Sequence, residues 1–330
     1  MAVATIHSIY LLTAGALTLS YAYLIFSERK SWKEAVIFGC VALILVSPIL
    51  ILDYINFSPQ SLETMSLSNY ILVHFRYPWH AIISDWFCAG TILQVAIIIV
   101  AIYLCRKERI FSIILIPFIV SAVLTIVQAL TNSDSLAFLM PWRVTAILIP
   151  LSTCIILAYA VDYIFRKFKS FIDCHKKALI IACGIILIIF CVYGVYHTFQ
   201  CFTTKSSSNE IPVMDFVKQN KSLGDVYLIP TDLQDFRLYT GAPIFVDFKS
   251  HPYKDTEVIE WYKRLQLAND FYNNTSYLNN TDTVQALRNI TKDYRITHII
   301  IRGYDPKFSN ETITLAYTDG NYTIYKINNI

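Results

Sequence analysis

The chain has 330 residues, 55% of them hydrophobic and 15% charged, with a mean hydropathy of +0.48 and a formal net charge of +3. Ordinary globular domains carry about 25% charged residues, so an ordinary soluble domain is excluded over most of the length and the lipid bilayer is the first expected partner. Residues 1–202 hold 13 Lys/Arg against 9 Asp/Glu, and residues 203–330 hold 14 against 15; the near-neutral C-terminal part has no basic field for nucleic acid.

A bilayer-spanning helix needs about 20 mostly apolar residues. Six runs qualify: 5–26, 34–52, 87–105, 110–130, 144–165 and 178–200. The start, MAVATIHSIY, lacks a basic region before the apolar run, so the first is read as a span and not as a signal peptide. Pro48, Pro117 and Pro150 fall inside runs, where membrane helices tolerate proline. Eleven of the 13 Lys/Arg of residues 1–202 sit in alternate short loops: Arg29, Lys30 and Lys33; Arg106, Lys107 and Arg109; Arg166, Lys167, Lys169, Lys176 and Lys177. The positive-inside rule puts those loops in the cytoplasm. The N-terminus and residues 203–330 are then expected outside.

Two outer loops follow from this topology. Residues 53–86 are too polar to span and too long for a tight turn; their aromatic and Leu/Ile spacing predicts one or two helices along the membrane surface. Residues 131–143 end in Pro141-Trp142-Arg143 at the mouth of the fifth span. After the polar linker 203–210, the pattern predicts a helix over 211–219, strands over 226–230 and 244–248, and an amphipathic helix over 255–272. An Asn/Thr-rich loop, a helix near 283–294, a strand over 297–302 and a hairpin around Asp319-Gly320 complete the domain. The expected fold class is an α-helical polytopic membrane region, residues 1–202, followed by a small α/β extracytoplasmic domain, residues 203–330.

Four constellations can carry chemistry. Asp232, Asp235, Arg237, Asp247, Lys249, His251, Tyr253 and Lys254 gather at the joints of the 226–266 segment. They either bind a phosphate or sugar, with Arg237 and Lys249 best suited to oxygen anions, or form a polar network that docks the domain. His74, Arg76, His80 and Asp85 lie in the first outer loop, where imidazole can move protons near neutral pH; interfacial snorkelling is the alternative. The six-residue separation of His74 and His80 is not a metal spacing, and no metal site is expected. Arg143 beside Trp142 suits lipid phosphate as well as an aromatic belt. Glu260 and Arg264 are an i,i+4 pair on a helix face. All eight cysteines lie in residues 1–202, mostly inside apolar runs; spacing alone leaves a Cys88–Cys201 bridge open. Eight N-x-S/T sequons, at Asn56, Asn220, Asn273, Asn274, Asn279, Asn289, Asn310 and Asn321, read as Asn-rich bacterial sequence.

The stretch FRLYTGAPIFVDFKSHPYKD with EVIEWYKRL, residues 236–265, looks like an uncharacterised bacterial membrane-protein domain family, and HFRYPWH (74–80) and MPWR (140–143) look like its membrane part. The layout is similar to that of GT-C-type glycosyltransferases. That resemblance implies a bacterial inner (cytoplasmic) membrane protein using polyprenyl-phosphate-linked sugar in envelope polysaccharide or glycolipid assembly. It makes Asp53, His74 and His80 the catalytic candidates, and Arg76, Arg143, Arg237, Lys249 and Tyr253 the ligand-binding ones. Asp53 and Glu63 lack the adjacent acidic pair of that family, and six spans are few for it; a C-terminal portion of a longer protein fits too. The competing expectation is a non-catalytic membrane scaffold or a glycan- or partner-binding protein. A transporter ranks third, since the spans hold few charges and no internal repeat.

Overall fold

The computed structural model describes residues 10–206, 208–275, 280–303 and 312–328. Residues 5–9 of the first expected span, the linker residue Ser207 and the sequons at Asn279 and Asn310 lie outside the described residues. The chain divides into two compact units: Met1–Leu179 with Lys254–Thr256, and Ile180–Tyr253 with Glu257–Ile330.

The first unit is helical. Helix α1 spans Leu11–Arg29, α2 Trp32–Phe57, α3 Leu62–Tyr70, α4 Ala89–Leu104, α5 Ile110–Thr131 and α6 Thr145–Lys167. Helix α7, Lys169–Ser206, runs through the boundary between the units and departs from helical geometry at His175 (φ −107°). Among the described residues, five helical stretches are long and apolar enough to cross a membrane: α1, α2, α5, Asp134–Lys167 and Lys169–Thr204. By length and composition the chain is a multi-pass membrane protein. Helix α4 differs from the expectation: its 16 residues rise about 24 Å, against a hydrocarbon core of about 30 Å. Cys88 is extended and donates its N–H to Thr91 Oγ1 at 3.4 Å, which delays the helix start.

Helix α1 packs on α2 and α5, and α6 on α4. Ile98, Ala101, Cys105, Ile114, Leu148 and Ile155 form the shared core. Ser20, Ser112, Ser121 and Ser152 are buried; small side chains let membrane helices approach closely. Large apolar side chains such as Leu43, Ile44, Ile55 and Val123 face outward, and contiguous surfaces of this kind need a bilayer to cover them. Arg109 pairs with Glu28 at 2.8 Å, and Arg29 with Glu34 at 2.7 Å. These bridges hold the basic turns after α1 and after α4 at the same end of the unit. Asp162 pairs with Arg166 one turn later, at 2.9 Å. All eight cysteines are free thiols, so no Cys88–Cys201 bridge forms; the Cys88 thiol lies against Thr91 and that of Cys201 against His197.

The second unit carries a four-stranded mixed sheet of order β1-β2-β4-β3, with β1 Tyr227–Leu228, β2 His298–Arg302, β3 Ile313–Thr318 and β4 Tyr322–Ile327. Strands β1 and β2 are parallel, and β4 runs antiparallel to β2 and β3. The Asp319-Gly320 turn closes the expected hairpin, with Gly320 at φ +88°. The strand expected over 244–248 is reduced to one bridge, Tyr227 to Ile244. Two features divert it: Pro243 has no N–H to give a ladder, and the Asp247 carboxylate captures the Ser250 N–H (2.5 Å) and hydroxyl (2.9 Å), turning the chain. Phe236–Thr240, between β1 and that bridge, form a one-turn helix ended by Gly241 at φ +63°.

Helix α8, Ile211–Asn220, lays Val213, Met214 and Val217 on Tyr227, Ile229, Leu233, Phe236, Ile300 and Ile324. Helix α9, Asp255–Thr275, buries Val258, Trp261, Leu265, Ala268 and Phe271, the stripe expected from its period. Helix α10, Asn280–Asp293, buries Leu287 and Ile290.

His298 stacks on Tyr227 at 4.7 Å between ring centroids and holds Thr297 Oγ1 at 2.9 Å through Nδ1. Burial pushes its pKa below 6.5, Asp225 opposes this, and Lys326 adds to it. The folded state therefore prefers neutral imidazole. Below pH 6.5 the unfolded chain takes up a proton that the fold resists, so this stability is present above pH 6.5 and is lost as pH falls through the folded pKa. The melting temperature of the full-length protein is expected to drop between pH 7.5 and 5.5, and His298→Gln to flatten that drop; an unchanged slope in the variant refutes the assignment.

Candidate functional site in the loop cluster of the first unit

The loop between α2 and α4 is held by a chain of local devices. Ser61 and Thr64 form a capping box that starts α3. Helix α3 then passes into a π-helical turn, Ile71–Arg76, closed by Tyr77 N–H to Leu72 O at 2.8 Å. π turns are rare and favour functional sites. This one buries Ile71, Leu72 and Val73 and leaves His74 open. Two single-turn helices follow, Pro78–Ala81 and Ile83–Trp86.

The facing segment begins where α5 ends at Asn132, which adopts a left-handed φ of +49°. A short helix, Asp134–Phe138, leads to Met140, buried to 2% and at φ +48°, and then to the 3₁₀ turn Pro141–Val144. A left-handed non-glycine residue costs about 1–2 kcal/mol, and such strain concentrates at functional sites.

Side chains lock the two segments together. His74 Nε2 lies 2.9 Å from Asp134 Oδ1. Asn69 Nδ2 donates to Ser135 Oγ at 3.1 Å, and Gln128 Nε2 to Ala81 O at 2.7 Å. Trp86 stacks on Trp142 with centroids 5.6 Å apart and planes 10° from parallel, and Trp142 Nε1 reaches Gln94 Oε1 at 3.3 Å. Between them lies a cavity of about 440 Å³ lined by Tyr70, His74, Ile82, Gln128, Asn132 and Asp134, among others.

A cationic group forms beside it. The pKa of His80 is pushed below 6.5 by partial burial, then by Arg143, then by Arg76, so both guanidinium groups act on one imidazole. Arg76 also lies over the Tyr77 ring at 4.6 Å. Arg143 is half-buried and has no ion pair among the described residues. Two guanidinium groups set beside one imidazole suit a bound oxygen anion.

Thus His74, Arg76, His80 and Arg143, four of the residues expected from sequence, belong to one loop cluster. Asp53 does not line the cavity; it sits half-buried near the end of α2 without an ion pair among the described residues. Sequence reasoning missed Asp134 and the strain at Met140; it noted Gln128 near a span end but not its place in the cavity. Only the Ser133-Asp134 helix start was a local signal for the first.

The remaining expected residues lie in the second unit. Arg237 lines a separate cavity of about 310 Å³ with Phe245, Glu257, Glu260, Trp261 and Arg264. Arg264 Nε holds Glu260 at 2.8 Å, and its guanidinium lies 4.9 Å from the Tyr294 ring centroid. Lys249 faces Asp235 at 3.7 Å, Asp232 pairs with Arg302 at 2.6 Å, and Tyr253 meets His251 edge-on at 5.1 Å. Lys249 and Tyr253 do not line the Arg237 cavity. Asp232, Asp235 and Lys249 are therefore already in ion pairs, and Asp247 holds Ser250.

A family model described as a domain of unknown function, DUF6798, matches residues 208–268. The match includes the whole FRLYTGAPIFVDFKSHPYKD segment and its EWYKRL continuation, and leaves the loop cluster of the first unit outside. No curated protein is significantly similar to the chain.

Proposed function

We propose that this multi-pass membrane protein binds the phosphate of a polyprenyl-phosphate-linked sugar between Arg76 and Arg143, and takes part in GT-C-like glycosyl transfer during bacterial envelope polysaccharide assembly. The observation that carries the reading is the half-buried Arg143, without an ion pair among the described residues, set with Arg76 beside His80. Guanidinium forks match phosphate oxygens two at a time. The cluster stands at the opposite end of the helices from the Glu28–Arg109 turns. With those basic turns in the cytoplasm, it faces outward at headgroup depth, in the inner membrane, where a lipid phosphate sits.

The test uses the full-length protein in nanodiscs. Liposomes carrying polyprenyl phosphate are expected to bind, with affinity falling as salt rises, and liposomes carrying the matching polyprenol to bind far less. Equal affinity for the two overturns the reading. The charges of the second unit favour a second reading, a membrane scaffold, because Asp232, Asp235, Asp247 and Lys249 are already engaged. Phosphate-independent lipid binding is its signature.

A further inference from the structure

We infer that the cavity beside His74 is a binding site for a neutral, hydroxyl-rich molecule, a saccharide or polyol, one of whose hydroxyls donates to Nδ1 of His74. The inference deepens the reading above, since it assigns the acceptor side of the same loop cluster.

The tautomer follows from the pair. The Asp134 carboxylate only accepts hydrogen bonds, so Nε2, 2.9 Å away, carries a proton, and in the neutral ring Nδ1 then holds the lone pair. The ring is fixed on a second side by Tyr70, stacked at 4.5 Å and 29°. A base oriented by a carboxylate, with its plane set by packing, is the arrangement that presents one nitrogen to a hydroxyl. The pair remains reachable, with side-chain exposures of 40% for His74 and 32% for Asp134.

The rest of the lining sets the ligand class. Gln128, Asn132, Ser133 and Ser84 are neutral donors and acceptors, and Val73, Ala81 and Ala137 make an apolar floor. Among the described residues no arginine or lysine lines this cavity, whereas the adjoining group holds two arginines. An anion is thus served by one site and an uncharged polyol by the other. The volume of about 440 Å³ falls in the usual range for small ligands, about 300–1,000 Å³. Of the three proton-transferring candidates read from the sequence, His74 is the one that the cavity presents to such a hydroxyl.

The experiment is saturation-transfer NMR on the full-length protein in nanodiscs, with a panel of neutral hexoses and N-acetylhexosamines. At least one sugar is expected to bind, with His74→Ala and Asp134→Asn each weakening it by about tenfold or more. Leu238→Ala, at an exposed position of the second unit, should bind that sugar as the wild type does. His74→Gln, which keeps size and polarity, guards against a folding artefact and should also weaken the sugar. Binding of no sugar, or equal binding by His74→Ala, overturns the inference. Polyprenyl-phosphate liposomes, which carry no sugar, separate the two proposals. A wild type that binds sugar but not those liposomes refutes the phosphate reading alone.

Discussion

Replacing Arg76 and Arg143 together by alanine is expected to weaken binding to polyprenyl-phosphate liposomes by about two to three orders of magnitude. Hydrogen bonds to charged groups contribute roughly 1.5–3 kcal/mol each, and 1.4 kcal/mol is tenfold in affinity. The lower end applies here, because neither arginine is fully buried and solvent screens the charge. Two such contacts then account for the range given. Arg143→Lys keeps the charge but loses the planar fork, so it should recover only part of the affinity. An internal marker accompanies the loss. His80 is held below its ordinary pKa by burial first and by the two arginines next. Removing both cations should raise its pKa, with burial keeping part of the depression. NMR titration of His80 reads this, and unchanged titration with unchanged liposome binding refutes the cationic cluster.

Phe236→Ala is expected to destabilise the second unit by about 3–5 kcal/mol, the usual cost of emptying a large aromatic site. Phe236 is fully buried, 6.0 Å from the Tyr227 ring, among Val213, Leu233 and Ile300. Its single-turn helix is held by Thr240 Oγ1 on the Phe236 carbonyl at 2.8 Å and ends at the left-handed Gly241. The helix has no freedom to collapse into the space left behind. Leu238, two residues on, is 88% exposed, and its alanine variant should stay within about 0.5 kcal/mol. Denaturant unfolding of the full-length protein, followed by tryptophan fluorescence, separates the two. Equal midpoints for both variants refute the packing argument. The contrast falls inside the residues matched by the domain of unknown function, so a disabled Phe236 also tests whether that segment needs its fold to act.

What the sequence determined by itself is the part of the structure carried by local periodicity. The apolar runs became helices because a span satisfies its own backbone hydrogen bonds, and Val258, Trp261, Leu265 and Ala268 recur on one face of α9. The Asp319-Gly320 hairpin was equally legible, since a two-residue turn needs the positive φ that Gly320 supplies. The cationic candidates Arg76 and Arg143 were visible as residues, but not as neighbours. Tertiary structure alone decided the rest. His74 and Asp134 are sixty positions apart and meet through the fold of two loops. The π turn at 71–76 has no signature of its own, because its extra residue is stabilised by the burial of Ile71, Leu72 and Val73 against other segments. Met140 takes a conformation its own chemistry disfavours. The strand expected over 244–248 was lost to Asp247, whose carboxylate outbid a sheet edge for the Ser250 N–H. The Asp247–Ser250 contact is local, three residues apart, and only its win over the sheet was illegible; the other cases rest on long-range contacts and burial that outweigh local preferences of about 1–2 kcal/mol or less, and no window of sequence contains both partners of such a contact.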